Sequence, residues 1–369
     1  MSPSPRTILP RLAVALAATF AIAAAAAETI EIDLKAKYGV TWQGLRRAVD
    51  EARQVFRRVP DANVVIRIAE GTFEIDDAQA HAAIDVSKLA PGERGQLVIA
   101  GTGMDRTRLV IAERLVGLYG RDVHHLVVQD LQFSRPTRSV TQGRVAAIGP
   151  GSVTLAIEAG FPTPAELVDP TPIGHYLRRC SADTLSFPSA DNEQQAWTSA
   201  AHNADGLWRF ALKRTAAPAW KVGDTIAVKS KHGGNAYWFH GGHDVTFQRV
   251  RWLDESRGTF RGGMSHIRIL DDRIARSANA SGRKPCLATP DGGPQIGHPD
   301  DPPTTDVLVQ GNDFEGTGDD AIALFNASGV VAGNKVADSF ARGILLFRSE
   351  GVELRGNDVE RSPVLHVAH

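Results

Sequence analysis

The chain has 369 residues, 41 basic against 42 acidic side chains and a net charge of −1, so it lacks the broad positive field of a nucleic-acid binder. Hydrophobic residues make up 43%, enough for a sizeable core, and two cysteines are too few for a disulfide-built scaffold. Length alone would suggest two globular domains, a limit that repeat architectures escape because each repeat packs only on its neighbours.

Residues 1–27 read as a signal peptide. Arg6 and Arg11 precede the apolar run Leu12–Ala27, and the small residues up to Ala27 then meet Glu28. The run falls short of the roughly 20 residues that a membrane span needs. A secreted or periplasmic protein without a membrane span is therefore expected.

Between Trp42 and Arg58, Leu45, Val49, Ala52 and Phe56 recur at helical spacing. This segment is expected to cap the first coil of a repeat array, together with Val64–Ile68 and Glu70–Phe73. Strands are expected at Gln96–Ala100, Arg108–Ile111 and from Leu126. Residues 136–230 then break the pattern: a hairpin at Gly143–Ala159, a Pro-rich loop at Pro162–Pro172, and more β structure at Gly206–Ser230. They read as an insertion packed beside the main body, not an independent domain, and as a possible wall of a site. Cys180 and Cys286 would meet an oxidising compartment after export and could form one disulfide; two separately buried thiols is the reading taken, because the sequence does not show that their Cα atoms come within bonding range.

From residue 243 one phrase recurs: apolar, any, apolar, two residues, Asn or Asp, any, apolar. Its polar slot falls at Val250, Asp272, Asn312, Asn334 and Asn357, in steps of 22, 40, 22 and 23 residues. Three short strands at about 3.3 Å per residue plus three turns fill one such period, giving a right-handed parallel β-helix. The recurrent Asn suits stacked turns whose amides bond from coil to coil. The Leu-heavy consensus of leucine-rich repeats is absent.

The 40-residue step holds one coil plus a surplus. Aligning Gly258-Thr-Phe-Arg with Pro285-Cys-Leu-Ala, Ala321-Ile-Ala-Leu and Gly343-Ile-Leu-Leu places most of that surplus at Pro290–Thr305, a Pro/Gly-rich loop carrying His298. The next coil bears Gly318-Asp319-Asp320. On this alignment Lys284 lies one coil below Asp320, Arg257 two below and Arg342 one above. Coils stack at about 4.8 Å, so these charges would be neighbours. The bland alternatives are turn-capping aspartates, a Ca²⁺ between coils, or a solvated ion-pair ladder. Upstream, Tyr237 and Trp238 offer a sugar-stacking platform or, equally, core and turn residues of the first coil after the insertion. The His spacing at 231–243 matches no zinc pattern, so no metal site is assigned.

Gly318-Asp319-Asp320-Ala321-Ile322-Ala323-Leu324 resembles the G-D-D signature of β-helix glycoside hydrolases, polygalacturonases and related α-galactosidases. Thr289-Pro290-Asp291-Gly292 resembles a loosened form of their preceding T-D-G element. The following G-H-G is Ala341-Arg342-Gly343 here, and a later R-I-K element has no counterpart. The resemblance covers about residues 240–360 and points to the wider pectin-lyase-like superfamily. It implies a carbohydrate-active enzyme, in the first instance a hydrolase of a poly- or oligosaccharide, with uronate-containing ones among the candidates. Asp319, Asp320 and Asp291 would then do acid/base work, with Arg342, Lys284, Arg257, His298, Trp238 and His240 binding substrate and no cofactor needed. A lyase or uronate C5-epimerase is the alternative, with Arg342 or Lys284 as base and Ca²⁺ on the aspartates. His298-Pro-Asp300-Asp301 is similar to the Asp-Pro-His-Asp of alginate epimerases in scrambled order. A third reading is a non-catalytic carbohydrate-binding β-helix. The last coil carries no amphipathic cap, so either a partner or another subunit is expected to cover it, or the chain lacks coils that its relatives possess.

Overall fold

The computed structural model describes residues 28–167, 175–187, 194–230, 234–255, 257–362 and 366–368. The expected signal peptide lies outside them. The main body is a parallel β-helix of three strand stacks. The first stack runs Thr29–Asp33, Asn63–Arg67, Gln96–Ala100, the middle of Val116–Ser134, the middle of Tyr237–Leu253, then Ser265–Leu270, Thr304–Gln310, Ala327–Ala332 and Val352–Arg355. The second carries Gly71–Ile75 through Asp358–Glu360, and the third Ala82–Asp85 through His366–Ala368.

In-phase pairing puts like positions on top of one another. Val245, Ile267 and Val307 share one column and are essentially inaccessible to solvent. Aromatic rings stack inside the tube in the same way, Phe133 on Trp252 with centroids 4.9 Å apart and Phe239 on Phe260 at 5.5 Å. The polar slot becomes a buried ladder. Asn312 N donates to Asn334 Oδ1 at 3.0 Å and Asn334 N to Asn357 Oδ1 at 3.1 Å, while each side-chain amide donates to the next at 2.8 Å. Asp272 occupies the same slot one coil earlier. It accepts from Val250 N at 2.8 Å and from Trp252 Nε1 at 3.2 Å. Burial pushes its carboxyl up to about 8.

A helix spans Trp42–Arg58, N-capped by Thr41, whose side chain accepts from Gly44 N. Its Leu45, Val49, Ala52 and Phe56 join the tube's hydrophobic core, and Trp42 Nε1 donates to Ala82 O. No helix among the described residues is long and apolar enough to cross a membrane.

The interrupting segment forms six antiparallel strands in a closed barrel, from Val140–Gly149 to Thr225–Lys229. It has its own apolar cluster around Leu155, Leu177, Trp197, Phe210 and Ile226.

Two expectations are corrected. Cys180 and Cys286 are not separate thiols: they form a disulfide with Cα atoms 6.3 Å apart, joining the barrel to the β-helix. The surplus of the long step also falls elsewhere. Gly258 pairs with Pro294, not Pro285, and Pro294–Gly297 is a strand of the tube in the middle of the expected loop. Arg251 to Thr259 spans 8 residues, whereas the equivalent Arg273 to Gln295 spans 22, so 14 of the 18 extra residues lie before that strand. This excursion docks on the barrel. Gln142 Oε1 accepts from Cys286 N at 2.7 Å, Arg138 donates to Ala278 O at 2.8 Å, and Arg283 pairs with Glu158 at 2.9 Å. Within Pro285-Cys-Leu-Ala, Cys286 and Leu287 are buried against the barrel, and only Ala288 joins the tube core.

Candidate active-site groove

In the third stack, alternate residues point into the tube and out. Phe239, Phe260, Ile296, Leu324 and Leu346 face inward, which turns the two columns beside them to the outer face. One column is Tyr119, Trp238, Thr259, Gln295, Ala323, Leu345. The other is Arg121, His240, Arg261, Gly297, Phe325, Phe347. A groove of about 610 Å³ crosses these coils. Asp319, Asp320, Arg342, Arg257, Arg261, Trp238, His298 and Gln295 are among the residues that line it.

Asp319 and Asp320 precede the strand Ile322–Phe325 and differ sharply in surroundings. Asp320 is buried, 2% exposed, and lies one coil below Arg342, which reaches down to it with both guanidinium arms: Nε to Oδ1 at 2.5 Å and Nη2 to Oδ2 at 3.0 Å. Burial pushes the Asp320 carboxyl up and the neighbouring Asp319 adds to this, while Arg342 opposes both. Asp319 is half-buried and forms no ion pair among the described residues.

Three cations have different degrees of freedom. Arg342 is committed to Asp320. Arg261 is committed to Asp301, with Nε to Oδ2 at 2.6 Å, and that carboxylate also accepts from Gly262 N at 2.8 Å. Arg261 holds the Asp301 carboxyl down at about 2. Arg257 makes no ion pair among the described residues, and its buried Nε has no hydrogen-bond partner. Its charge is available to a ligand. His298, which lines the groove, accepts from Asp300 N through Nδ1 at 3.2 Å.

Trp238 lies in an aromatic strip. It stacks on Tyr119 at 5.2 Å with planes 9° apart, and the Arg121 guanidinium sits 5.3 Å from its ring centre. His240 stacks on Trp238 at 5.7 Å but does not line the groove.

Of the residues singled out by sequence, Asp319, Asp320, Arg342, Arg257, His298 and Trp238 therefore line one groove. Lys284 does not. It is exposed on the excursion, and the residue below Asp320 is Gly292, whose neighbour Gly293 donates its N–H to Asp320 O at 3.1 Å. Asp291 is buried beneath the Asp319 coil and does not line the groove; its carbonyl accepts from Gly318 N at 2.8 Å. Sequence reasoning missed Arg261, Gln295, Phe325 and Phe347. Arg261 was within reach, since Arg257, Thr259 and Arg261 alternate outward around buried Phe260. It also missed Lys229 of the barrel, whose ammonium donates to Gly318 O and lies 4.7 Å from the Phe340 ring centre. The barrel thus braces the turn that carries Asp319.

No protein-family model and no curated protein sequence matches the chain. Among solved structures it is similar to the periplasmic alginate epimerase AlgG, at 10% identity and a TM-score of 0.37 over 80% of this chain and 45% of that one. A catalytic domain of a GH87 α-1,3-glucanase in complex with tetrasaccharides gives 12% identity and a TM-score of 0.42 over 96% of this chain and 48% of the other. The A-module of an Azotobacter vinelandii mannuronan C-5 epimerase gives 10% and 0.34 over 85% and 72%. The chain spans about half the length of the first and second of these structures.

Proposed function

We propose that the protein is an exported carbohydrate-active enzyme that hydrolyses a uronate-containing poly- or oligosaccharide in this groove. The observation that carries the reading is the convergence of two adjacent carboxylates in unlike surroundings with the unpaired Arg257 guanidinium and the Trp238 ring. Glycosidases need one carboxyl kept protonated and one kept ionised. Asp320 is the acid: burial favours its neutral form, and only Arg342 opposes this. A uronate carboxylate entering the groove draws Arg342 into a two-point bond of its own, which frees Asp320 to take up a proton. Asp320 then gives that proton to the glycosidic oxygen. Asp319 removes a proton from water as the water attacks the anomeric carbon. The Cys180–Cys286 disulfide and the apolar run at the N-terminus support export.

One observation favours β-elimination or C5 epimerisation as the second reading. With Arg342 and Arg257 neutralising a uronate carboxylate, His298 in the groove lining is a base of suitable chemistry for its α-proton. Incubation with a panel of polyuronates separates the two. New reducing ends without an unsaturated, UV-absorbing product support hydrolysis, and an unsaturated product or inverted C5 overturns it. No change in any polyuronate would leave only carbohydrate binding.

A further inference from the structure

The corner that leads from the groove face to the first stack is built by one left-handed residue per coil: His125, Asp244, His266 and Asp306, with φ of 52°, 55°, 54° and 51°. Non-glycine residues are uncommon in this conformation, and Asp and His are among those that tolerate it. At this corner two imidazoles from different coils aim at one carboxylate oxygen. His243 Nδ1 lies 2.5 Å from Asp244 Oδ2, and His125 Nδ1 lies 3.4 Å from the same atom. The ligand-capable atoms of the three residues all fall within 4.8 Å of one another. The His124 ring packs against His243 at 4.3 Å and sets its tilt, and its Nδ1 has no hydrogen-bond partner among the described residues.

We propose that His125, His243 and Asp244 bind a divalent transition-metal ion of the Zn²⁺ type, which clips together the two coils on either side of the inserted barrel. Two nitrogens and one carboxylate oxygen match the ligand preferences of Zn²⁺, with a fourth position left to water. Ca²⁺ needs six to eight oxygens and is not served by one carboxylate. The ion takes the place of the hydrogen bond between His243 Nδ1 and Asp244 Oδ2, with the neutral His243 ring carrying its hydrogen on Nε2. Bond lengths near 2.0–2.2 Å set ligand atoms roughly 3.3 Å apart, so the His243–Asp244 contact must open by less than about 1 Å. Both side chains are 40% exposed and free to make that adjustment.

His125 belongs to the coil before the barrel, whereas His243 and Asp244 belong to the coil after it, 118 positions further on for His243. An ion here closes a very long loop. It also anchors the strand Tyr237–Leu253, which carries Trp238 and His240. The regular spacing of a zinc motif is absent because the ligands come from two coils and not from one segment.

The test is a calorimetric titration of tag-free, chelator-treated protein with Zn²⁺, repeated by absorbance with Co²⁺. One equivalent should bind with a micromolar or tighter Kd, the Co²⁺ form should show visible ligand-field bands, and Zn²⁺ should raise the Tm. His125→Ala and His243→Ala should each weaken binding at least about tenfold, while His202→Ala, on the barrel, leaves it unchanged. Should either His variant fail to fold, Asp244→Asn keeps the left-handed turn and should show the same loss. Absence of a stoichiometric site, or equal affinity in the folded ligand variants, overturns the proposal.

Discussion

Arg342 grips Asp320 across one coil of the β-helix through Nε and Nη2 of its guanidinium, at 2.5 and 3.0 Å, while Asp319 beside it makes no ion pair among the described residues. Adjacent aspartates thus acquire opposite characters from their surroundings alone. Removing the guanidinium separates its two contributions. Arg342→Ala should leave a buried carboxyl without its partner and destabilise the fold by about 1–3 kcal/mol, measured by urea unfolding at neutral pH. Lowering the pH should recover part of the loss, because Asp320 then takes up a proton. A variant as stable as the parent at neutral pH would contradict the burial argument.

Asp319→Asn should lower kcat by about 100-fold or more, the usual range for loss of a general acid or base. The Tm should change little, since the side chain is half-buried and unpaired. Turnover and thermal melting of the same preparation check both halves of this expectation.

Arg257→Ala should raise KM for uronate oligosaccharides with a smaller effect on kcat, because its unpaired charge serves binding. Neutral oligosaccharides should show no such shift. Equal effects on both substrate types would make Arg257 a structural residue.

Asp272 makes stability depend on pH. The unfolded carboxyl ionises near 3.8, whereas the folded one keeps its proton until about 8. Between those values the native state holds one more proton than the unfolded state. Stability from this group is therefore full below about 4 and falls as pH rises, by up to about 1.4 kcal/mol per pH unit. Asp272→Asn continues the ladder of Asn312, Asn334 and Asn357. It should flatten that dependence and raise stability at pH 8 relative to the parent, despite the altered bond to Trp252. Urea unfolding at pH 5 and pH 8 gives the comparison.

Reduction of Cys180–Cys286 should loosen the barrel from the β-helix. The bond links residues 106 apart, and closing a loop of that size is worth roughly 4–5 kcal/mol in the chain-entropy account. Because Lys229 of the barrel also holds the Gly318 carbonyl, reduction should lower activity as well as Tm. Melting and turnover with and without reductant read the two effects.

How much of the molecule is legible in its sequence depends on range. The 22-residue step is a local count, and it led to the β-helix, to the Asn ladder and to Asp319, Asp320 and Arg342 on successive coils. The helix Trp42–Arg58 is equally local, written in its apolar spacing. The disulfide depends on a barrel docking against an excursion 106 residues away, which no local pattern records. Lys284 was misplaced because Cys286, Leu287 and Ala288 are as apolar as a tube strand. In fact Cys286 and Leu287 are buried against barrel residues such as Phe187, and only Ala288 joins the tube core. The hairpin at Gly143–Ala159 was legible and its strands do pair, but the closed barrel was not, since its closure rests on pairings such as Thr225 with Arg144.

The most direct test compares the parent protein and Asp319→Asn on polygalacturonate and alginate, counting new reducing ends and unsaturated products. The account expects reducing ends from the parent on at least one polyuronate, no unsaturated product, and almost none of either from folded Asp319→Asn. Undiminished product from Asp319→Asn would place the chemistry outside this groove.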